Sequence, residues 1–281
     1  MRDNSDRYQP KQQADDAPVE AATQQGGIFN FSTPTEFVTL PSEGKFYPEG
    51  HPLRGVPELE IRFMTAKDED ILSSPSLLRK GTAIDRFLEN VLINKNIKIA
   101  DMMVGDKNAL VIAARITGFG ADYTAKITCN TCAHAPEHHF DLSRLGAKER
   151  EDGDELSINE DGTFNITLPT TGVEVALKPL LSSDEQKLTA ILKKQEEDKR
   201  KETPLTTQLK AIIVSANGIS NRAQVANFVE NMPSRDSRFL REYYAKAVPN
   251  IDMTESYVCP VCLAAQEVDV PITVNFFWSR P

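Results

Sequence analysis

The sequence predicts an α+β protein in which helices pack around two β-hairpins joined by a zinc-ribbon-like four-cysteine site, preceded by a disordered N-terminal arm. Three observations carry that expectation. The chain's four cysteines stand as two Cys-x-x-Cys pairs, Cys129-Asn130-Thr131-Cys132 and Cys259-Pro260-Val261-Cys262. Apolar residues recur at every second position around each pair, and at helical spacing elsewhere. Residues 1–30, rich in Gln, Asp, Ala and Pro, show neither period and read as disordered.

Two residues between cysteines let one tight turn aim both sulfurs at a single ion. Two such turns supply the tetrahedral all-cysteine set of a structural zinc. Cys129, Cys132, Cys259 and Cys262 are therefore the expected ligands of one structural Zn2+. A usual ribbon leaves roughly 15–20 residues between its pairs. Here residues 133–258 intervene, so the ion would close a whole domain. Two other readings stay open at this point: a pair of disulfides, and four unconnected buried thiols. Ala133 and Leu263 stand where a zinc knuckle often carries glycine, and His134, His138 and His139 read as solvated loop residues beside the site.

At 281 residues, with 40% hydrophobic and 7% aromatic content, the chain has length for one large or two modest domains with a real core. Its 32 basic and 41 acidic residues leave a formal net charge of −9, which disfavours unspecific attraction to nucleic acid or anionic membrane. The start, Met1-Arg2-Asp3-Asn4, lacks the apolar core of a secretory signal, and no apolar run reaches membrane-spanning length. A soluble protein made in the cytoplasm is expected. Four cysteines in a reducing compartment suit metal binding better than a disulfide framework.

Taken in order, the arm ends in an apolar tip, Ile28-Phe29. Phe37 to Gly50, punctuated by Pro41, Gly44, Pro48 and Gly50, reads as an extended path carrying Phe46 and Tyr47. Leu59, Ile61 and Phe63 alternate as a short strand. Thr65 is the expected N-cap of a helix whose first turn holds Asp68, Glu69 and Asp70, where the helix dipole favours negative charge. That accounts for the acidic cluster without catalysis. Pro75 stops the helix. Arg79-Lys80-Gly81-Thr82 lacks the leading glycine of a phosphate loop and reverses its Gly-Lys order, so no nucleotide site is expected. Ile84, Phe87, Leu88, Val91 and Leu92 make the clearest apolar helical stripe. A further helix runs from Asp106 to Arg115, and Gly118-Phe119-Gly120 turns into the first hairpin, with Tyr123, Ala125 and Ile127 outbound and Phe140 and Leu142 returning.

Residues 143–155 form a charged connection. Beyond it Leu156-Ser157-Ile158 and Phe164 to Leu168 flank Asp161-Gly162, a hairpin signal, and Val173, Val175 and Leu177 add a third strand. Ser183 with Gln186 reads as a capping box, Leu188, Ile191 and Leu192 as a buried helix face, and Lys193 to Glu202 as a solvated helical end. Thr203-Pro204 opens a helix carrying Leu205, Leu209, Ile212, Ile213 and Ala216 to a stop at Gly218. Two short helices follow, around Val225, Phe228 and Val229 and around Phe239, Leu240, Tyr243 and Tyr244. Helix, glycine turn and helix invite comparison with a helix-turn-helix, but the recognition helix over 221–231 has Arg222 as its one base. Val268 to Phe276 alternate behind the second cysteine pair. The expected organisation is an arm over 1–36, an α+β domain over 37–142 ending in the first zinc hairpin, an inserted β-hairpin and helical domain over 143–250, and a second zinc hairpin over 251–281 returning to the first.

Five blocks go beyond such generic patterns: Leu40-Pro-Ser-Glu-Gly-Lys-Phe-Tyr-Pro48, Met64-Thr-Ala-Lys-Asp-Glu-Asp-Ile-Leu72, Leu77-Leu-Arg-Lys-Gly-Thr-Ala-Ile-Asp85, Gly105-Asp-Lys-Asn-Ala-Leu-Val-Ile-Ala-Ala-Arg-Ile-Thr117 and Cys129-x-x-Cys132. In that order they resemble the T4-type bacteriophage baseplate protein family, densely over 38–142 and more thinly beyond. The resemblance implies a structural subunit or assembly factor, described as a baseplate hub subunit or hub assembly chaperone of contractile-tailed phages, with no catalytic residues. Implied partners are other baseplate hub, spike and tail-tube or tape-measure proteins, with self-association left open and neither nucleic acid nor membrane expected. The implied places are the virion tail baseplate and, during assembly, the host cytoplasm. The arm and the segment 37–50 would serve as docking strands. The alternative from another class is a zinc-ribbon regulator that binds nucleic acid, which a steeply salt-dependent affinity would favour.

Overall fold

The computed structural model describes residues 33–148, 156–198, 203–272 and 274–278. The arm expected over 1–36 lies outside them up to residue 32, as do parts of the connection at 143–155 and of the helical end before Thr203.

Strands β1 (Thr35–Thr39) and β2 (Glu58–Arg62) pair antiparallel with Val38 opposite Leu59. Their connection was expected to be a docking strand and is instead core. Leu40, Phe46 and Tyr47 are buried, and Phe37 alone of the segment's large apolar residues is exposed, at 66%. Phe46 meets Phe164 edge to face, and its carbonyl approaches Gly162 so closely that a Cβ there would sit 2.2 Å from the oxygen. The Asp161-Gly162 turn thus needs its glycine for the approach as well as for its φ of +81°.

Thr65 caps α1 (Ala66–Ser73), and Pro75 both ends that helix and opens α2 (Pro75–Lys80). The apolar stripe forms α3 (Ala83–Val91), with Phe87, Leu88 and Val91 buried. Next, α4 (Val104–Phe119) begins two residues before the expected Asp106 and is buried on several sides, through Ala109, Leu110, Val111, Ile112 and Ala114. It packs against β1 and α3. Then come β3 (Asp122–Lys126) and β4 (Glu137–Asp141), the first cysteine hairpin.

A three-stranded antiparallel sheet follows, in the order β5 (Phe164–Thr167), β6 (Glu174–Leu177), β7 (Ile213–Ala216). The run Leu156 to Ile158 contributes one bridge, Ile158 to Phe164, rather than a strand. Helix α5 (Ser182–Glu197) starts at an N-cap of Leu181 with Asp184 accepting from its N–H, so Ser183 lies inside the helix and Gln186 turns instead to Asp85. Its apolar face is not closed, for Ile191 is 45% exposed and Ser182 is the helix's buried residue. Helix α6 (Pro204–Ile212) stops before Ile213 because the β-branched pair Ile213-Val214 takes up hydrogen bonding with β6. That strand separates α6 from α7 (Arg222–Asn231), which removes the helix-turn-helix arrangement. Last come α8 (Ser234–Ala247), β8 (Thr254–Val258) and β9 (Ala265–Asp269), the second cysteine hairpin. The alternation expected to run on to Phe276 ends at Asp269, and Val274–Phe277 is a 3-10 turn. Among the described residues no helix is long and apolar enough to cross a membrane.

Candidate metal centre

Each cysteine pair sits in the loop of its own hairpin. The same local wiring builds both loops. Ala133 donates its N–H to the Cys129 carbonyl and Leu263 to that of Cys259, both at 2.9 Å. Cys129 in turn donates to His134 and Cys259 to Ala264. Closing so tight a turn forces the residue after the second cysteine to positive φ, 57° at Ala133 and 58° at Leu263. Both are thus left-handed without being glycine, a strained arrangement for residues with a Cβ.

The hairpins face each other so that the pairs interleave. Cys129 Sγ lies 3.6 Å from Cys262 Sγ and Cys132 Sγ 3.7 Å from Cys259 Sγ, and all four sulfurs lie within 4.8 Å of one another. A disulfide would need about 2.05 Å, so no pair of sulfurs is at bonding distance, and the four free thiols lie together rather than scattered. With metal–sulfur bonds of about 2.3 Å, the edge of a tetrahedron is about 3.8 Å. The four sulfurs therefore form a donor set that can hold one metal ion. Cys129 and Cys259 are buried, and Cys132 and Cys262 lie toward the surface.

The electrostatics are shared unevenly. N–H groups of Cys262 and Val261 point at the Cys259 sulfur and hold its pKa down at about 6. Those of Cys132 and Thr131 likewise hold Cys129 below the usual thiol range. The His134 N–H acts on Cys132 in the same sense, yet burial and three neighbouring sulfurs outweigh it and push that thiol up to about 12. Negative charge thus gathers on Cys129 and Cys259 before Cys132. Four thiolates this close repel one another, and a cation among them removes the conflict.

Other contacts lock the hairpins together. Gln266 accepts from the Asn130 N–H at 2.9 Å and donates to the Thr128 carbonyl at 3.2 Å. His138 lies between Phe140 and Tyr257, with ring centroids 4.7 and 5.2 Å away, and His139 meets the Thr124 hydroxyl at 2.8 Å. Neither joins the sulfur cluster. Beyond the sulfurs the second loop is apolar and open, with Val258, Val261 and Leu263 at 58, 63 and 76% exposure.

A family model described as T4 bacteriophage base plate protein matches residues 33–278. The chain belongs to that family. It is a phage base plate protein, whose contacts are with other base plate components. Searches of curated proteins and of solved structures each gave no match.

In this base plate protein three of the five sequence blocks that carry the resemblance hold polar fasteners. Asp106, fully buried on α4, accepts from the Ser42 N–H at 3.0 Å, the Ser42 hydroxyl at 2.6 Å and the Tyr47 hydroxyl at 2.6 Å. Tyr47 itself accepts from the Met103 N–H at 3.0 Å. Burial holds the Asp106 carboxyl above its usual range despite these donors. Asp68 is equally buried, yet Arg62 grips it with two hydrogen bonds of 2.7 and 2.9 Å, Thr65 adds its N–H and hydroxyl, and Asn90 donates from α3. Burial raises its pKa and these donors more than offset it, leaving about 2. An ionised, fully saturated carboxylate is a structural clamp. Arg115, also buried, donates to the carbonyls of Phe276 at 2.8 Å, Gly120 at 2.6 Å and Asp122 at 3.0 Å, which fastens the end of α4 to the first hairpin and to the last turn. Sequence reasoning missed these roles, although all of Ser42, Tyr47, Asp68, Asp106 and Arg115 lie within the blocks it singled out.

Proposed function

We propose that the chain is a structural subunit or assembly factor of the central hub of a contractile phage tail baseplate, acting through protein–protein contacts and stapled by one structural zinc. The family match over 33–278 carries this reading. Zinc is the ion that suits four thiolates in a tetrahedron, and a closed four-sulfur set leaves no open position for a substrate. Cys129, Cys132, Cys259 and Cys262 would hold it. Bound there, it would offset half of the charge of the clustered thiolates and tie the two hairpins together, a contribution on the order of 10 kcal/mol on the scale of zinc-finger peptides. The expected partners are other hub, spike and tail-tube or tape-measure proteins, met in the host cytoplasm during assembly and in the virion tail baseplate.

Quantitative mass spectrometry of purified tail-complete particles beside infected-cell lysate tests the role. A fixed small copy number in particles identifies a hub subunit, and abundance in lysate with absence from particles identifies an assembly chaperone. Absence from particles with co-purifying nucleic acid would sink the hub reading in favour of a regulator.

A further inference from the structure

Helix α5 packs against α4 and α6 but leaves part of its apolar face open. Of its apolar residues Leu188 and Leu192 are half-buried and Ile191 is 45% exposed. Along the side of Leu188 and Ile191 runs a cleft of about 420 Å³ between α5 and α6. Leu188, Ile191 and Ala211 supply its apolar lining. Its cations are Lys178, Lys187, Lys210 and Arg222, set against one lining carboxylate, Asp184.

This cleft is a basic spot on a chain of formal net charge −9. Asp184 takes part of the charge, with Lys178 at 2.5 Å and Lys187 at 3.7 Å, and Glu230 outside the lining pairs with Lys210 at 2.5 Å. Two carboxylates against four cations leave an excess of positive charge. Lys187 is 72% exposed, and the Arg222 guanidinium contacts only the Lys210 carbonyl, at 3.2 Å, among the bonds that the described residues make to it. An apolar seam flanked by surplus cations is complementary to a segment that carries apolar side chains flanked by carboxylates.

We propose that the α5–α6 cleft docks an acidic, apolar-bearing segment of another base plate protein. The cleft's chemistry favours such a segment over nucleic acid. Its lining side chains offer apolar surface at Leu188, Ile191 and Ala211 and no aromatic ring for a base to stack on. The inference rests on the reading of the chain as an assembly protein and names the chemistry of a partner.

To test it, the full-length protein carrying a photo-cross-linking residue in place of Ile191 is irradiated with purified baseplate assembly intermediates, and the cross-linked peptide is sequenced. A second version carries the cross-linker at Gln195, on the same cleft. The expected product at both positions is one peptide from a different tail protein, acidic in net charge and containing at least one large apolar residue. Lys187→Glu should cut the yield at least fivefold, and Lys187→Arg should leave it unchanged. A neutral or basic peptide, cross-links confined to this chain or its copies, cross-links to nucleic acid, or a yield indifferent to Lys187→Glu would each overturn the proposal. A chain that enters particles at fixed copy number yet gives any of those products loses the cleft assignment and keeps the hub reading.

Discussion

The cysteine hairpins and the body around α4 solve the same problem, joining segments distant in sequence, by opposite means. In the body, buried carboxylates are met by donors already in place: Asp106 by Ser42 and Tyr47, Asp68 by Arg62, Thr65 and Asn90. In the hairpins, four sulfurs are brought within 4.8 Å of one another with no protein cation among them, and the loop beyond is apolar and exposed. The body's carboxylates find their partners within the chain, whereas the proposed zinc would supply the cation that the sulfur cluster can hold. Stability should therefore be separable into a part that a chelator removes and a part that acid removes.

The largest expected effect breaks the comparison on the hairpin side. Chelation, or Cys259→Ser, should remove on the order of 10 kcal/mol of local stability. Hydrogen exchange should show protection lost across β3, β4, β8 and β9 and retained in α3 and α4. Elemental analysis should find one zinc per untreated chain and none in the variant. Loss of protection throughout the chain would show that the body leans on the centre after all.

A smaller effect sharpens the body side. Asp68 has a folded pKa of about 2 against an ordinary 3.8. Its clamp therefore contributes about 2 kcal/mol above pH 4, lost as the pH falls through about 2. Asp106 runs the other way: burial raises its folded pKa, so its term favours the folded state in acid and is lost as the pH rises through that value. Urea midpoints measured from pH 2 to 5 should show the acid-labile part missing in Asp68→Asn, while Asp106→Asn should remove a slope of opposite sign. Equal slopes in both variants would refute the assignment.

The smallest effect returns to the knuckles. Ala133→Gly and Leu263→Gly relieve a positive φ in each loop, and against glycine's greater chain entropy each should gain about 0.5 kcal/mol in thermal unfolding of the metal-loaded protein. A loss of stability would mean that the side chains, not the turn, hold the loops.

The four-cysteine cluster was legible in the sequence because its signal is local: two residues between sulfurs, twice, with strand alternation on either side. The stripe of α3 and the Thr203-Pro204 start of α6 were legible for the same reason. The fasteners were not, since Asp106 meets Ser42 and Tyr47 across 64 and 59 positions of chain, and nothing nearby announces the pairing. Phe46 and Tyr47 looked like docking residues because proline and glycine mark an extended path without saying which way it faces. Ile213 fitted a helical period as well as a strand, and the free edge of β6 decided the matter. Similarly, the apolar stripe of α5 has the pattern of a buried face, and its exposure is set by what packs there, which the pattern does not contain.

The span between the cysteine pairs also fixes an order of events in time. A ribosome adding about 5–20 residues per second needs on the order of ten seconds to pass from Cys132 to Cys259. For that interval the first hairpin is already made while its partner sulfurs do not exist. The joint is then a late step of biosynthesis, and the strands of the first hairpin wait, thiols free, for a strand pair that emerges after every helix from α5 to α8.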